Sequence, residues 1–154
     1  MSNSCEQLQL NNQLCFPLYA ASRLTTKMYT PHLKPLDITY PQYLVLLALW
    51  QYKQMSVKDI GARLFLESNT LTPLLKRLEQ KELIHRVRSK TDERTVMVSL
   101  STKGDKLKEQ AAEIPEKILS AFTTEDFDES ELISFRNNLV KLLHIIQDKT
   151  SNNK

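Results

Sequence analysis

A mainly α-helical fold with one small β-hairpin is what this sequence predicts, on three observations. Only two glycines, Gly61 and Gly104, occur in 154 residues. That is too few tight-turn residues for an all-β sandwich or barrel. Apolar residues recur at steps of three and four along most of the chain. One pair of segments alone, Leu83–Arg88 and Thr95–Leu100, is β-branched like strands, with Val96, Val98 and Leu100 alternating with Thr95, Met97 and Ser99. At 41% hydrophobic and 25% charged residues, the chain is globular rather than disordered. Its length suits one domain or a compact two-lobed one.

The first helix is expected over about Leu14–Leu33, on Leu14, Leu18, Ala21, Leu24 and Met28. Pro17 is acceptable if it falls in the first turn. Pro31–Asp37 contains two prolines and reads as a break. Thr39 then caps a second helix carrying Tyr43, Leu46, Leu47 and Trp50. Ser56-Val57-Lys58-Asp59 is a capping box that opens a short helix with Val57, Ile60 and Leu64 on its buried stripe. Ser68 is expected to cap the next helix, whose stripe is Leu71, Leu74, Leu75 and Leu78. Thr102-x-x-Asp105 reads as another capping box. It opens a long helix to about Leu119, bent at Pro115. The last helix is expected to begin near Ser130. Its face is Leu132, Phe135, Leu139, Leu142 and Ile146, more apolar surface than one small lobe needs. Such a face packs on a partner helix, often of a second subunit.

Two short helices in tight succession form a helix-turn-helix. The second exposes Asn69, Thr70, Pro73, Lys76, Arg77 and Gln80. Most of these are groups that meet base edges and phosphates. The hairpin that follows has a charged tip, Ser89-Lys90-Thr91-Asp92-Glu93-Arg94. Helix-turn-helix followed by a charged hairpin is the winged-helix order. Charge agrees: Ser56–Gly104 holds ten Lys/Arg against six Asp/Glu, while the whole chain is only +3. Such a local excess is either a phosphate-binding surface or a solvated basic face.

Leu71-Thr72-Pro73-Leu74-Leu75-Lys76-Arg77-Leu78-Glu79 with Asp92-Glu93-Arg94 resembles the MarR family of winged-helix regulators. Gln13-Leu14-Cys15-Phe16, Tyr19, Tyr29 and Thr39-Tyr40-Pro41-Gln42-Tyr43 resemble its organic-hydroperoxide-sensing branch. The resemblance runs from about Leu10 to Ile146. It implies a homodimer straddling a pseudo-palindromic operator in double-stranded DNA. Residues 1–38 would form an N-terminal dimerisation and sensing helix, and 39–101 the winged helix-turn-helix lobe. Residues 102–149 would form C-terminal dimerisation helices, with 150–154 a flexible tail. Ser68, Thr70, Pro73, Lys76 and Arg77 fall on the recognition helix, joined by Asn69 where the branch often has glycine. Arg94 falls on the wing arginine of the minor groove, and Asp92 on the residue that orients it. Arg86, Arg88 and Lys90 complete the expected DNA-binding set. Cys15 matches the sensing cysteine, and Tyr29 and Tyr40 the tyrosines that hold it from the other subunit. With no cysteine in the C-terminal half, the resemblance implies that a low-molecular-weight thiol caps the oxidised sulfur.

Read without the resemblance, Cys15 is either a small buried hydrophobe or a reactive thiol. Its place near a helix start favours the thiolate. So does a stripe with Tyr19, Ser22, Thr26 and Tyr29, which sets it among hydroxyls. Tyr19, Tyr29 and Tyr40 alone read as core residues with satisfied hydroxyls. Cys5 reads as inert. No Cys/His cluster has zinc spacing, so neither metal nor cofactor is expected. No apolar run is long enough to span a bilayer and no secretory signal is evident, so the cytoplasm is the expected compartment. Three functions compete. The first is a repressor switched off by organic hydroperoxides at Cys15. The second is a regulator released by a small phenolic ligand or other oxidants. The third is a thiol peroxidase, for which an exposed basic helix and hairpin would serve no purpose.

Overall fold

The computed structural model describes residues 5–125 and 127–151. It falls into two compact units, Met1–Ile114 and Pro115–Lys154. Of the expected tail, residues 152–154 lie outside the described ones.

The first unit opens with two single 3-10 turns, Glu6–Leu8 and Leu10–Asn12, followed by helix α1, Cys15–Leu33. Pro17 stands in the first turn of α1, where its missing N–H costs nothing. The break expected from Pro31 comes later. The helix carries Pro31 inside it and continues to Leu33. A proline's φ suits a helix, and the bond it removes belongs to a carbonyl one turn back, on a face open to water. The chain instead stops at a 3-10 turn, Lys34–Leu36, which Asp37 closes in the left-handed region at φ 52°.

Helix α2, Tyr40–Tyr52, is capped as expected by Thr39, in a reciprocal box with Gln42. It buries Tyr43, Val45, Leu46, Ala48, Leu49 and Trp50. A helix apolar on nearly all sides runs through the middle of its core. Leu47 is 39% exposed, because Leu46, Leu49 and Trp50 take the inward positions.

A short strand β1, Gln54–Ser56, leads into α3, Val57–Leu64. Ser56 Oγ accepts from the Asp59 amide at 3.0 Å and donates to the Asp59 carboxylate at 2.7 Å. The carboxylate thus takes the hydroxyl rather than the backbone amide of a full box. Phe65 ends α3 in the left-handed region. Helix α4 is Ser68–Gln80, with Glu67 at the cap position and no side-chain cap bond. Ser68 is therefore the first helical residue and not the cap. Leu71, Leu75 and Leu78 are buried and pack this unit together with Ile60 of α3.

Strands β2, Ile84–Arg88, and β3, Val96–Leu100, form the expected hairpin. Strand β1 pairs with β3, Met55 opposite Val98, giving a three-stranded antiparallel sheet in the order β1-β3-β2. Ile84 and Val98 point into the core. Helix α5, Thr102–Ala111, is capped by Ser101, whose Oγ accepts from the Gly104 amide at 2.9 Å. The cap is thus one residue earlier than the Thr102-x-x-Asp105 box. The long helix to Leu119 is two helices, because α5 ends at Ala111 and α6 runs Ile114–Phe122. The ring of Pro115 would clash with the carbonyl four residues back, that of Ala111, so a continuous helix ends there.

In the second unit, Asp128 caps helix α7, Glu129–Ser151. Its Oδ1 accepts from the Glu131 amide at 2.9 Å, and Glu131 Oε2 accepts from the Asp128 amide. Phe127 and Phe135 meet edge to face, 6.1 Å between centroids. No residue of α7 is buried. Among the described residues, no helix is long and apolar enough to cross a membrane.

Candidate functional site

Two surfaces of the first unit carry the chemistry. The first is α4 with its hairpin. The leucines of α4 bury one stripe, which forces Ser68, Asn69, Thr70, Pro73, Lys76 and Arg77 outward, and all six are exposed. Pro73 lies inside α4 and lacks the N–H that would bond the Asn69 carbonyl. That carbonyl is left as an outward acceptor beside the Asn69 and Thr70 side chains.

At the hairpin tip, Ser89 and Asp92 organise a tight loop. Ser89 donates its amide to the Thr95 carbonyl at 2.8 Å, and Thr95 returns a bond to the Asp92 carbonyl at 2.9 Å. The Asp92 carboxylate accepts from the Arg94 amide at 3.0 Å and from the Thr95 hydroxyl at 2.9 Å. Asp92 therefore orients Arg94 through its backbone. The turn occupies both carboxylate oxygens, and no Asp92–Arg94 ion pair is present among the described residues. Arg88, Lys90 and Arg94 are exposed around this tip.

Arg86 differs from the other cations. Glu79, on the last turn of α4, takes its Nε at 2.9 Å, its Nη2 at 2.5 Å and its backbone amide at 3.2 Å. The Arg86 guanidinium, through hydrogen bonding above all, holds the Glu79 carboxyl below the usual carboxylate range. Sequence reasoning missed Glu79. Nothing local marks it, since its partner lies across a turn on the adjoining strand.

The second surface is α1. Cys15 is its first residue and is exposed as a free thiol, as is Cys5. One turn on, Tyr19 is exposed and its hydroxyl accepts from Arg23 at 3.2 Å. Thr26 spends its hydroxyl on the Ser22 carbonyl. Tyr29 and Tyr40 do come together, their rings 4.6 Å apart, with Tyr43 5.9 Å from Tyr29. Burial raises all three phenols above their ordinary value, and Tyr29, also beside Tyr40 and Tyr43, is pushed up to about 12. These tyrosines do not meet the thiol of their own chain. Fourteen residues of helix separate Cys15 from Tyr29, roughly 21 Å at 1.5 Å per residue. Any contact between Cys15 and this cluster has to come from a second copy.

A cavity of about 360 Å³ opens beside Tyr40, lined by Thr26, Thr30, Leu33, Ile38, Pro41 and Lys81 among others. Lys81 closes one side, donating to the Asp37 carbonyl and pairing with its carboxylate at 3.0 Å. Among the described residues no cluster of His, Cys, Asp or Glu could hold a metal ion.

Of the residues expected at a dimer interface, Leu132, Leu139 and Leu142 are half-buried. Phe135 and Ile146 are 50% and 43% exposed. Ile133, Val140, Leu143 and Ile145 are also exposed on α7, as are Leu14, Phe16, Leu18 and Leu24 near the start of the chain. Each unit thus carries a large uncovered apolar face.

Residues 27–111 match the family model described as transcriptional regulator SarA/Rot. The organic hydroperoxide resistance transcriptional regulator of Bacillus subtilis (strain 168) is 49% identical over 144 residues, covering 94% of this chain and 98% of that protein. SarZ of Staphylococcus aureus (strain USA300), an HTH-type transcriptional regulator, is 39% identical over 94% of this chain and 97% of its own. Reduced AbfR bound to DNA, from a protein of Staphylococcus epidermidis, superposes with a TM-score of 0.72 at 39% identity, covering 92% of this chain and 98% of that one. A match across helix-turn-helix and hairpin alike, and relatives aligned nearly end to end, are what kinship rather than shared architecture produces. The chain belongs to the SarA/Rot transcriptional regulators, of the MarR-like winged-helix kind.

Proposed function

We propose that this chain is a DNA-binding transcriptional repressor whose grip on its operator is switched off when an organic hydroperoxide oxidises Cys15. One observation carries the reading. A free thiol stands exposed at the head of α1 in a chain that also presents an uncovered recognition helix and basic hairpin. The kinship to an organic hydroperoxide resistance regulator supports it, as does the relative solved in reduced form on DNA.

Two copies join through α1 and α7, burying the apolar faces left open on each. Ser68, Asn69, Thr70, Pro73, Lys76 and Arg77 enter the major groove of each half-site. Arg88 and Lys90 meet phosphates, and Arg94, set by Asp92, reaches the minor groove. The Cys15 thiolate of one copy lies against Tyr29 and Tyr40 of the other. Its sulfur attacks the terminal peroxide oxygen, the O–O bond breaks, and the alkoxide leaves as the alcohol after taking a proton. The sulfenic acid then condenses with a low-molecular-weight thiol, releasing water and forming a mixed disulfide. That bulk does not fit a packed junction without displacing its neighbours, so the two lobes shift off the half-site spacing. The protein acts in the cytoplasm, as a regulator and not a peroxidase.

The test is a gel shift on its own upstream DNA with hydroperoxide and a small thiol. The parent is released, the Cys15→Ser protein stays bound, and Cys5→Ser behaves like the parent. Release of Cys15→Ser by hydroperoxide would refute the mechanism. The cavity beside Tyr40 favours a second reading, release by a small phenolic ligand. In that case phenol alone releases both parent and Cys15→Ser.

A further inference from the structure

From the recognition helix to the hairpin tip stand seven cations: Lys76, Arg77, Lys81, Arg86, Arg88, Lys90 and Arg94. Among the described residues two of them are in ion pairs, Lys81 with Asp37, which lies outside this surface, and Arg86 with Glu79 of the recognition helix. Arg86 stands midway along β2, opposite Val98 of β3. Ile84, two residues before it on the same face of β2, is buried against the core. Arg88, two residues after it on that face, is exposed. A phosphate backbone running from α4 to the hairpin tip would pass this point. Glu79 occupies it first. Its two oxygens take three bonds from Arg86, two from the guanidinium and one from the backbone amide. The pair is only partly shielded, with about a quarter of the Arg86 side chain and a third of the Glu79 side chain exposed. A cation so placed would otherwise be available to any duplex, whatever its sequence.

Resting on the proposed DNA-binding function, we propose that Glu79 is a specificity-determining positioning residue: it withholds the Arg86 charge from the phosphate backbone and ties strand β2 of the hairpin to the recognition helix. The carboxylate acts in two ways through one partner. It cancels a charge that would strengthen sequence-blind binding, since phosphate contacts carry no sequence information. It also fixes β2 against the last turn of α4, so that helix and hairpin meet the two grooves in one register. Without it, Arg86 turns outward as an added phosphate ligand, and the hairpin loses its brace. Affinity for random DNA therefore rises while the preference for operator falls.

The experiment uses the full-length protein and two duplexes, one of random sequence and one from its own upstream region. Fluorescence anisotropy is followed as a function of salt. Glu79→Gln keeps the shape and removes the charge. On random duplex its log K against log[salt] should steepen by about 0.9, one additional contact. Its advantage over the parent should then shrink about threefold between 50 and 200 mM salt, which is four raised to that slope. The ratio of operator to random affinity should fall. Adding Arg86→Met to Glu79→Gln should abolish the gain on random duplex. A merely structural role for the pair would lower the melting temperature and leave the salt slope as it was, and that result overturns the proposal. So does a slope about 0.9 shallower in Arg86→Met alone, because Arg86 would then already contact a phosphate. A parent that binds neither duplex overturns the DNA-binding reading itself.

Discussion

Replacing Gly104 by alanine should destabilise the first unit more than an ordinary helix substitution could. Gly104 sits in the first turn of α5, and a Cβ built there lies 2.0 Å from the Leu83 carbonyl oxygen and 2.9 Å from its carbon. An ordinary C···O contact is about 3.3 Å or more, so α5 and the start of β2 must part by over about 1 Å. Nothing there yields cheaply, since the obstacle is backbone. The same carbonyl accepts the Ser101 amide at 3.1 Å, Ser101 Oγ donates to the Glu82 carbonyl at 2.6 Å, and Trp50 Nε1 donates to the Gly104 carbonyl at 3.0 Å. Separation weakens two or three of these, at about 1 kcal/mol each. Overpacking adds about 1–3 kcal/mol, and the better helix propensity of alanine returns about 1. The net loss is about 2–5 kcal/mol. In a chain of this size that lowers the melting temperature by about 5–15 °C. Circular dichroism or calorimetric melting reads it directly. Gly61→Ala is the internal comparison, because its Cβ would stand 3.0 Å from the Leu66 carbonyl oxygen, so it should lose much less. A Gly104→Ala protein melting within about 2 °C of the parent, or no lower than Gly61→Ala, would refute the reasoning.

Arg77→Ala should weaken binding to every duplex and flatten the salt dependence by about one contact. Arg94→Ala should instead lose the preference for a narrow, A·T-rich minor groove. Both are read by anisotropy on paired duplexes, and parent-like binding by both would remove this surface from the account. Leu139→Asp should cost several kcal/mol of association by burying an unpaired charge. Light scattering at micromolar concentration should then show monomer where the parent shows dimer. Tyr29 supplies a test in alkali. Its folded phenol is raised from 10.0 to about 12, so the neutral form is favoured in the fold. The stability it contributes is fully present below about pH 10 and is lost as pH rises through about 12. Tyr29→Phe should flatten the alkaline limb of a stability-against-pH curve and remove the highest tyrosinate step in an ultraviolet titration.

Local chemistry made much of this protein legible. Thr39 and Ser56 announce helix starts because a hydroxyl at the right place accepts a free amide whatever lies far away. Steps of three and four leucines reveal α4, since a helix must bury one stripe. The rule loses its force where two residues qualify equally. Ser101 and Thr102 are adjacent and both able to cap, and the choice of Ser101 is secured by its further bond to Glu82, nineteen residues earlier. Strand β1 escaped notice because three residues show no period, and it exists only by pairing with β3. The thiol was visible as a candidate because cysteine is rare here and stands near a helix start. The packing of Tyr29 on Tyr40 was not, since it depends on the fold of α1 against α2.

The sequence by itself determined most of the helices, the hairpin, the outward character of the recognition helix and the concentration of positive charge around it, all consequences of side-chain type and period. Only the tertiary structure decided which of those charges is free. Arg86 and Arg88 are alike in sequence, two residues apart on one strand face. Yet Arg86 is held by Glu79 from the neighbouring helix while Arg88 stands exposed. Charge is a property of a residue and is written in the chain. Its neutralisation is a property of a distance between two elements, and distances are fixed only when the chain folds.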